Sequence, residues 1–244
     1  MEPVSDLLER PTYSMRDVDV LLRLPNGTGR RWIDGYTVQA RTYAPVVRLE
    51  ATADDTVTWG EFVEARLLAE FRRGGALMIN MRRAVERLRD ELQTKYPLAH
   101  ARTWIQPEGR ELVRRVQSEA GTPGSYLLVV IRNDQLVLSD QVETFVETVD
   151  FSSTITEDPV VERVFPQPDL REVVFDPLRK SGLPVIAGRG IPTGVIAEQV
   201  RAGDVIESIA EAYELTHTQV EAAIRYELLQ AVRSPAESEP SAVA

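Results

Sequence analysis

Apolar and polar positions divide the chain into short periodic pieces, most of them helical in period. In YSMRDVDVLLRLPNGTGRRWIDG (Tyr13–Gly35), Val18, Leu21 and Leu22 fall at i, i+3 and i+4 behind a Ser14/Asp17 cap. Pro25 stops that helix, and a second short one carries Arg30, Arg31, Trp32 and Ile33. Residues 37–56 read as an extended linker. Thr58 and Glu61 then form a capping box for a helix whose broad apolar face holds Trp59, Phe62, Val63, Leu67 and Phe71. Gly74-Gly75 breaks it, and Met81, Val85, Leu88 and Leu92 mark the next helix. From Ala101 the pattern reads as strands. SYLLVVI and QLVLS, joined at Arg132-Asn133-Asp134, predict a β-hairpin, and Val160–Phe165 a further strand.

The C-terminal third returns to helices. One begins at Pro192 or Thr193, bears Val195, Ile196 and Val200, and ends at Gly203. A second is expected behind an Asp204/Glu207 cap, with Ile206, Ile209, Ala210 and Tyr213 on one face. A third, behind a Thr216/Gln219 capping box, should bury Val220, Ala223, Ile224, Leu228 and Ala231. The order predicts an α+β fold. A helix-turn-helix domain spans 12–95, a β-rich connecting region 96–168, and a three-helix module with a second helix-turn-helix 169–233. The tail at 234–244, without aromatic or long aliphatic residues, is expected to be disordered.

Composition narrows the chemistry. The 244 residues contain no cysteine, which excludes disulfides and thiolate chemistry, and only two histidines, His100 and His217, far apart in sequence. No metal, cofactor or catalytic centre is therefore expected. No run of about 18 apolar residues suggests a membrane span, and the acidic N-terminus is unlike a signal peptide; a cytoplasmic protein is the expectation. The net charge of −10 is unevenly placed. Residues 12–115 hold 18 basic and 14 acidic side chains, whereas residues 140–176 hold 10 acids against Arg163 and Arg171. Such asymmetry suggests an anionic partner for the first part and another partner for the rest. Arg82, Arg83, Arg87 and Arg89, interleaved with Glu86 and Asp90, read as a salt-bridged face; Arg82 and Arg83 are the candidates there for phosphate contacts.

PVIAGRGIPTGVIAEQV (Pro184–Val200) holds Gly188, Gly190 and Gly194 between an apolar run and a helix, as a phosphate loop does. The spacing is off by one from a dinucleotide fingerprint and lacks the Lys-Ser/Thr ending of a P-loop. Three tight helices follow rather than a second βαβ unit. The glycines are expected to turn the chain into the bundle, with no nucleotide bound.

Two resemblances add to this reading. Tyr13–Gly35 resembles the opening of MerR-type regulators, in which a Tyr-Ser/Thr start leads to a Thr-x-Arg-aromatic helix, here Thr28, Arg30 and Trp32. Asp19 stands where that family has a small apolar residue, and Gly29 where it has an apolar one. Pro184-Val185-Ile186, Gly188-Arg189-Gly190-Ile191-Pro192-Thr193 and Ala202-Gly203-Asp204 resemble a bacterial module, domain of unknown function four-three-three. The combination is similar to mycobacterial VapB-type antitoxins.

The resemblance implies an antitoxin that is not an enzyme. It would neutralise a PIN-type ribonuclease toxin and bind operator DNA to repress its own operon. Expected DNA contacts are Thr28, Arg30 and Arg31, with Arg16 and Arg41 on phosphates. Val195, Ile196 and Val200 are the expected homodimer contact. The class blocks the toxin's carboxylate pocket with a C-terminal segment, often through an arginine, which points to Arg225 and Arg233. The alternative is a MerR-like transcriptional regulator that senses a small molecule and has no toxin partner. The third C-terminal helix carries Glu221 and Glu227 against Arg225. It therefore reads as a protein-contact rather than a DNA-contact surface, because phosphate contacts need positive charge.

Overall fold

The computed structural model describes residues 7–73, 81–124, 127–132, 135–152 and 158–231. The Gly74-Gly75 break, the hairpin residues Asn133 and Asp134, Arg233 and the tail lie outside the described residues. The fold is α+β: helices form most of it, and among the described residues the strands make two-stranded antiparallel sheets.

The organising element is a helix over Trp59–Arg73. Every residue from Trp59 to Phe71 is buried, Glu61, Glu64, Arg66 and Glu70 among them. The apolar stripe read from the sequence is only one side of a helix covered all round. Trp59 holds it in place, its indole N–H donating to the Val161 carbonyl at 2.8 Å. Preceding it, β1 (Pro11–Ser14) pairs with β4 (Thr56–Thr58), so the residues between them form a closed excursion, the head. Within the head lie α1 (Met15–Leu21), α2 (Thr28–Ile33) and an antiparallel hairpin, β2 (Tyr36–Val38) with β3 (Arg41–Tyr43). The central helix is thus α3, followed by α4 (Arg82–Leu92).

The expectation of strands from Ala101 is not met. Ala101–Trp104 (α5) and Pro107–Glu119 (α6) are helices. Pro107 occupies the first turn of α6, where its missing N–H is harmless. Gly109, Val113 and Val116 are buried at the helical period. The expected hairpin does form, β5 (Val129–Arg132) against β6 (Gln135–Leu138). A helix unread in the sequence, α7 (Asp140–Glu147), follows it and lies on α3. The strand expected at 160–165 is β8 (Val161–Val164), paired with β7 (Val149–Phe151).

In the C-terminal module, β9 (Val173–Val174) pairs with β10 (Val185–Ile186). Gly188 and Gly190, with φ of 78° and 68°, turn the chain into α8 (Thr193–Ala202). α9 (Ile206–Tyr213) and α10 (His217–Ala231) complete the bundle. The capping box at Thr216 and Gln219 is present in both directions, at 3.0 and 3.2 Å. The Asp204/Glu207 cap is not: Val205 is the N-cap residue and gives no side-chain hydrogen bond. Helix α10 is two-sided. Val220 and Ala223 join Ile186, Ile196, Ile209 and Leu215 in the bundle's own core. Ala222 and Tyr226 face the main core, where Tyr226 meets Phe175 edge-on at 6.1 Å. Leu228 falls on neither side and is 61% exposed, contrary to the single buried face expected of this helix.

Candidate nucleic-acid interface

The head begins with two helices set by local chemistry. At the start of α1 the Ser14 hydroxyl accepts from the Asp17 N–H at 3.2 Å, and the Asp17 carboxylate accepts from the Ser14 N–H at 2.8 Å. The second helix has no such box. Its N-cap is Gly27, with φ of 77° and no side chain to offer. The Asp19 carboxylate reaches across from α1 instead and accepts from the N–H groups of Gly27 and Gly29, both at 2.6 Å. A Cβ on Gly29 would stand 3.0 Å from Val18 Cγ1 and 3.1 Å from Asp19 Oδ1, so this close approach wants glycine. Two of the departures from the MerR-type pattern, Asp19 and Gly29, thus belong to one contact: an acid caps the second helix where the first lies against it.

After α2 the chain makes the exposed hairpin, with Gln39 and Ala40 as its turn, both at positive φ (48° and 62°). That pair is not a recognised hairpin signal, which is why these residues read as an extended linker. Tyr36 and Tyr43 face each other across the strands with stacked rings 4.7 Å apart. Arg31 of α2 lies over Tyr36 at 5.7 Å, and Arg41 over Tyr43 at 5.1 Å. Helix and hairpin therefore present one continuous surface of two arginines on two stacked tyrosines.

Beneath it, a buried ionic lock ties the head to α3. Arg48 donates to Glu61 (Nε to Oε1, 2.8 Å) and to Asp34 (Nη1 to Oδ1, 2.9 Å), and also to Thr52 Oγ1 and the Thr56 carbonyl, both at 2.6 Å. Asp34 accepts in turn from the N–H groups of Thr52 and Ala53. Burial pushes Asp34 up, but these donors and Arg48 outweigh it and hold the carboxyl below its ordinary value. The lock also fixes the loop that carries Asp55, whose carboxylate pairs with Arg30 at 2.5 Å on the surface.

Four of the five expected DNA contacts face solvent here. Arg16, Arg30, Arg31 and Arg41 are exposed. Thr28 is only 7% exposed and presents little surface. In the arginine run, Arg82 pairs with Glu86 at 2.7 Å and Arg87 with Glu119, while Arg83 is exposed. Arg89 is buried and donates to the backbone carbonyls of Val47 (2.6 Å) and Lys95 (2.9 Å), which makes it a structural strut beneath the head.

At the other end, Ile196 is fully buried inside the bundle and has no surface to give a second copy; Val195 and Val200 are half-buried. Arg225 is exposed and pairs with Asp169 at 2.6 Å. The acids Glu207, Glu211, Glu214 and Glu221 are all exposed on α9, α10 and their turn. Among the described residues no helix is long and apolar enough to cross a membrane.

Residues 173–226 match the family described as "Protein of unknown function (DUF433)". The chain is 26% identical over 228 residues to the Mycobacterium tuberculosis protein named "Putative antitoxin VapB45", covering 88% of this chain and 92% of that one. The crystal structure of Rv2018 from the same organism superposes with a TM-score of 0.67 at 21% identity, over 88% of this chain and 97% of that one, a likeness of fold. The uncharacterized protein Rv2308, also of M. tuberculosis, is 36% identical over 229 residues, covering 91% of this chain and 92% of its own. The chain belongs to the same family as Rv2308.

Proposed function

We propose that this protein is the non-enzymatic antitoxin of a toxin–antitoxin pair, that its head reads operator DNA as a helix-turn-helix with a hairpin wing, and that its acidic C-terminal module holds the toxin. The observation that carries the reading is the contrast between its two ends. An arginine-on-tyrosine surface at the head belongs to a chain of net charge −10, and a bundle with an acidic face stands at the other end. Arginine forks suit phosphate and guanine edges. Paired half-sites would be read by two copies related by a two-fold axis. The Arg30–Asp55 pair fits this role: a phosphate can replace Asp55 on Arg30 without opening the fold, because both side chains are exposed. The resemblance to VapB-type antitoxins points to a PIN-type ribonuclease as the toxin, blocked by the segment that follows α10.

Two measurements test it. Fluorescence anisotropy with a duplex from the protein's own promoter, at moderate salt, should show Arg30→Ala/Arg31→Ala weakening binding by about 1–3 kcal/mol; unchanged affinity removes the head from DNA recognition. Co-expression with the neighbouring reading frame should yield a complex without ribonuclease activity, and truncation after Leu229 should release that activity while leaving DNA binding intact. Full neutralisation by the truncated chain would move the toxin contact to the bundle itself.

A further inference from the structure

Between the end of α1, the middle of α3 and the last turns of α10 lies a cleft of about 530 Å³, within the size range of small-molecule sites. Its floor is charged. Arg66, 3% exposed, pairs with Glu70 and lies 3.3 Å from the Thr148 hydroxyl. Arg73 reaches the same Glu70 oxygen from the rim at 2.6 Å. One carboxylate thus serves two guanidinium groups. Burial pushes Glu70 up, but Arg66 and Arg73 together outweigh it and keep the carboxyl below its ordinary value. The other acid at the rim, Asp169, is committed to Arg225.

A third guanidinium enters from α1. Arg23 follows the C-cap residue Leu22 with φ of 56°, in the left-handed region that favours glycine at a helix end. An arginine held there against backbone preference lines the cleft with Tyr226, whose phenol burial and Glu227 push up more than Gln230 and Arg23 pull it down. The cleft also has apolar lining, with Leu21, Pro168 and Leu229 at its surface over the buried Leu22 and Phe175. The cleft therefore joins positive charge that its own acids do not balance to a hydrophobic surface.

We infer that this cleft is a binding site for a small organic anion, a carboxylate, sulfonate or phosphate monoester carried on a ring or short chain. The anionic group meets Arg23 and Arg73, and the apolar body lies on Pro168 and Leu229. Because Leu22 and Arg23 end the first helix of the head and Leu229 belongs to α10, an occupant bridges the head and the C-terminal module.

The test uses the full chain and two fluorescent probes of nearly equal shape: 1-anilinonaphthalene-8-sulfonate and its neutral analogue N-phenyl-1-naphthylamine. The sulfonate should bind in one molar equivalent and the neutral probe at least tenfold more weakly. Arg23→Ala/Arg73→Ala should weaken the sulfonate at least tenfold and leave the neutral probe unchanged. Arg23→Gly keeps the test independent of folding, since glycine suits the left-handed position: it should weaken sulfonate binding without lowering the thermal midpoint. Equal affinity for the two probes, or sulfonate affinity unmoved by both arginine variants, would overturn the inference.

Discussion

Two pairs of consecutive helices, α1–α2 in the head and α9–α10 in the C-terminal module, differ in the kind of surface they present. On the first, Arg31 and the hairpin's Arg41 face solvent over a tyrosine stack, with Arg30 in an exposed pair with Asp55. On the second, the exposed charges are Glu207, Glu211, Glu214 and Glu221, while Arg225 is taken up by Asp169 and Arg189 by Glu214. The two helix pairs therefore carry surfaces of opposite sign, and affinity for phosphate depends on that sign. The interiors differ too. The bundle core is made of apolar side chains, whereas the region around α3 buries Glu61, Glu64, Arg66 and Glu70.

That second difference gives the largest expected effects. Arg48→Met removes the cation from between Asp34 and Glu61 and leaves two buried carboxylates facing each other. The loss should be about 3–5 kcal/mol by urea denaturation, the range for breaking a buried ion pair. A loss below about 1 kcal/mol would mean that the lock contributes little to holding the head. Glu64 supplies a pH-dependent counterpart. Fully buried, it accepts from the Leu98 N–H at 3.0 Å and has Arg89 3.8 Å away, and burial pushes its pKa up from 4.5 to about 7. The native state then holds a proton that the unfolded chain has released. Stability from this group is present below about pH 4.5 and is lost as pH rises through about 7. Glu64→Gln keeps the shape without the titration. From pH 5 to pH 8 the native protein should lose up to about 3 kcal/mol relative to that variant, at about 1.4 kcal/mol per pH unit. Burial holds the His100 pKa down despite Asp158 at 2.7 Å, which gives a slope of opposite sign below about pH 6.5. The difference between the two proteins cancels that contribution, and parallel curves would place Glu64 outside the pH response.

Smaller effects sharpen the contrast of surfaces. Arg225→Ala should leave promoter affinity unchanged where Arg30→Ala/Arg31→Ala weakens it, and should lower stability by less than about 1 kcal/mol, as exposed ion pairs do. Equal losses of DNA affinity at the two ends would erase that contrast. Thr216→Ala removes the capping box of α10 and should cost about 1 kcal/mol. A similar cost is expected for Ser14→Ala at α1, whose capping box has the same form.

Much of this was legible in the residues. Period and capping chemistry located α1, α2, α3, α4, α8 and α10, because helix starts are local events that Ser14/Asp17, Thr58/Glu61 and Thr216/Gln219 announce within four residues. The exposed arginines of the head were also legible as charge. The hairpin was not, since Gln39-Ala40 carries no turn signal and its strands are held by Tyr36 on Tyr43. Helices α5 and α6 were hidden by a strand-rich stretch just beyond them.

By itself, the sequence determined where helices start, where glycine must turn the chain, and how charge divides between the ends, all of which depend on neighbours in the chain. Only the tertiary structure decided that α3 is buried on every side, that Asp19 caps a helix not its own, and that Arg48 joins Asp34 to Glu61. It also turned Ile196 inward and Leu228 outward. Each of these depends on residues far apart in sequence that meet only when the core closes, and burial then sets how strongly their charges and hydrogen bonds act.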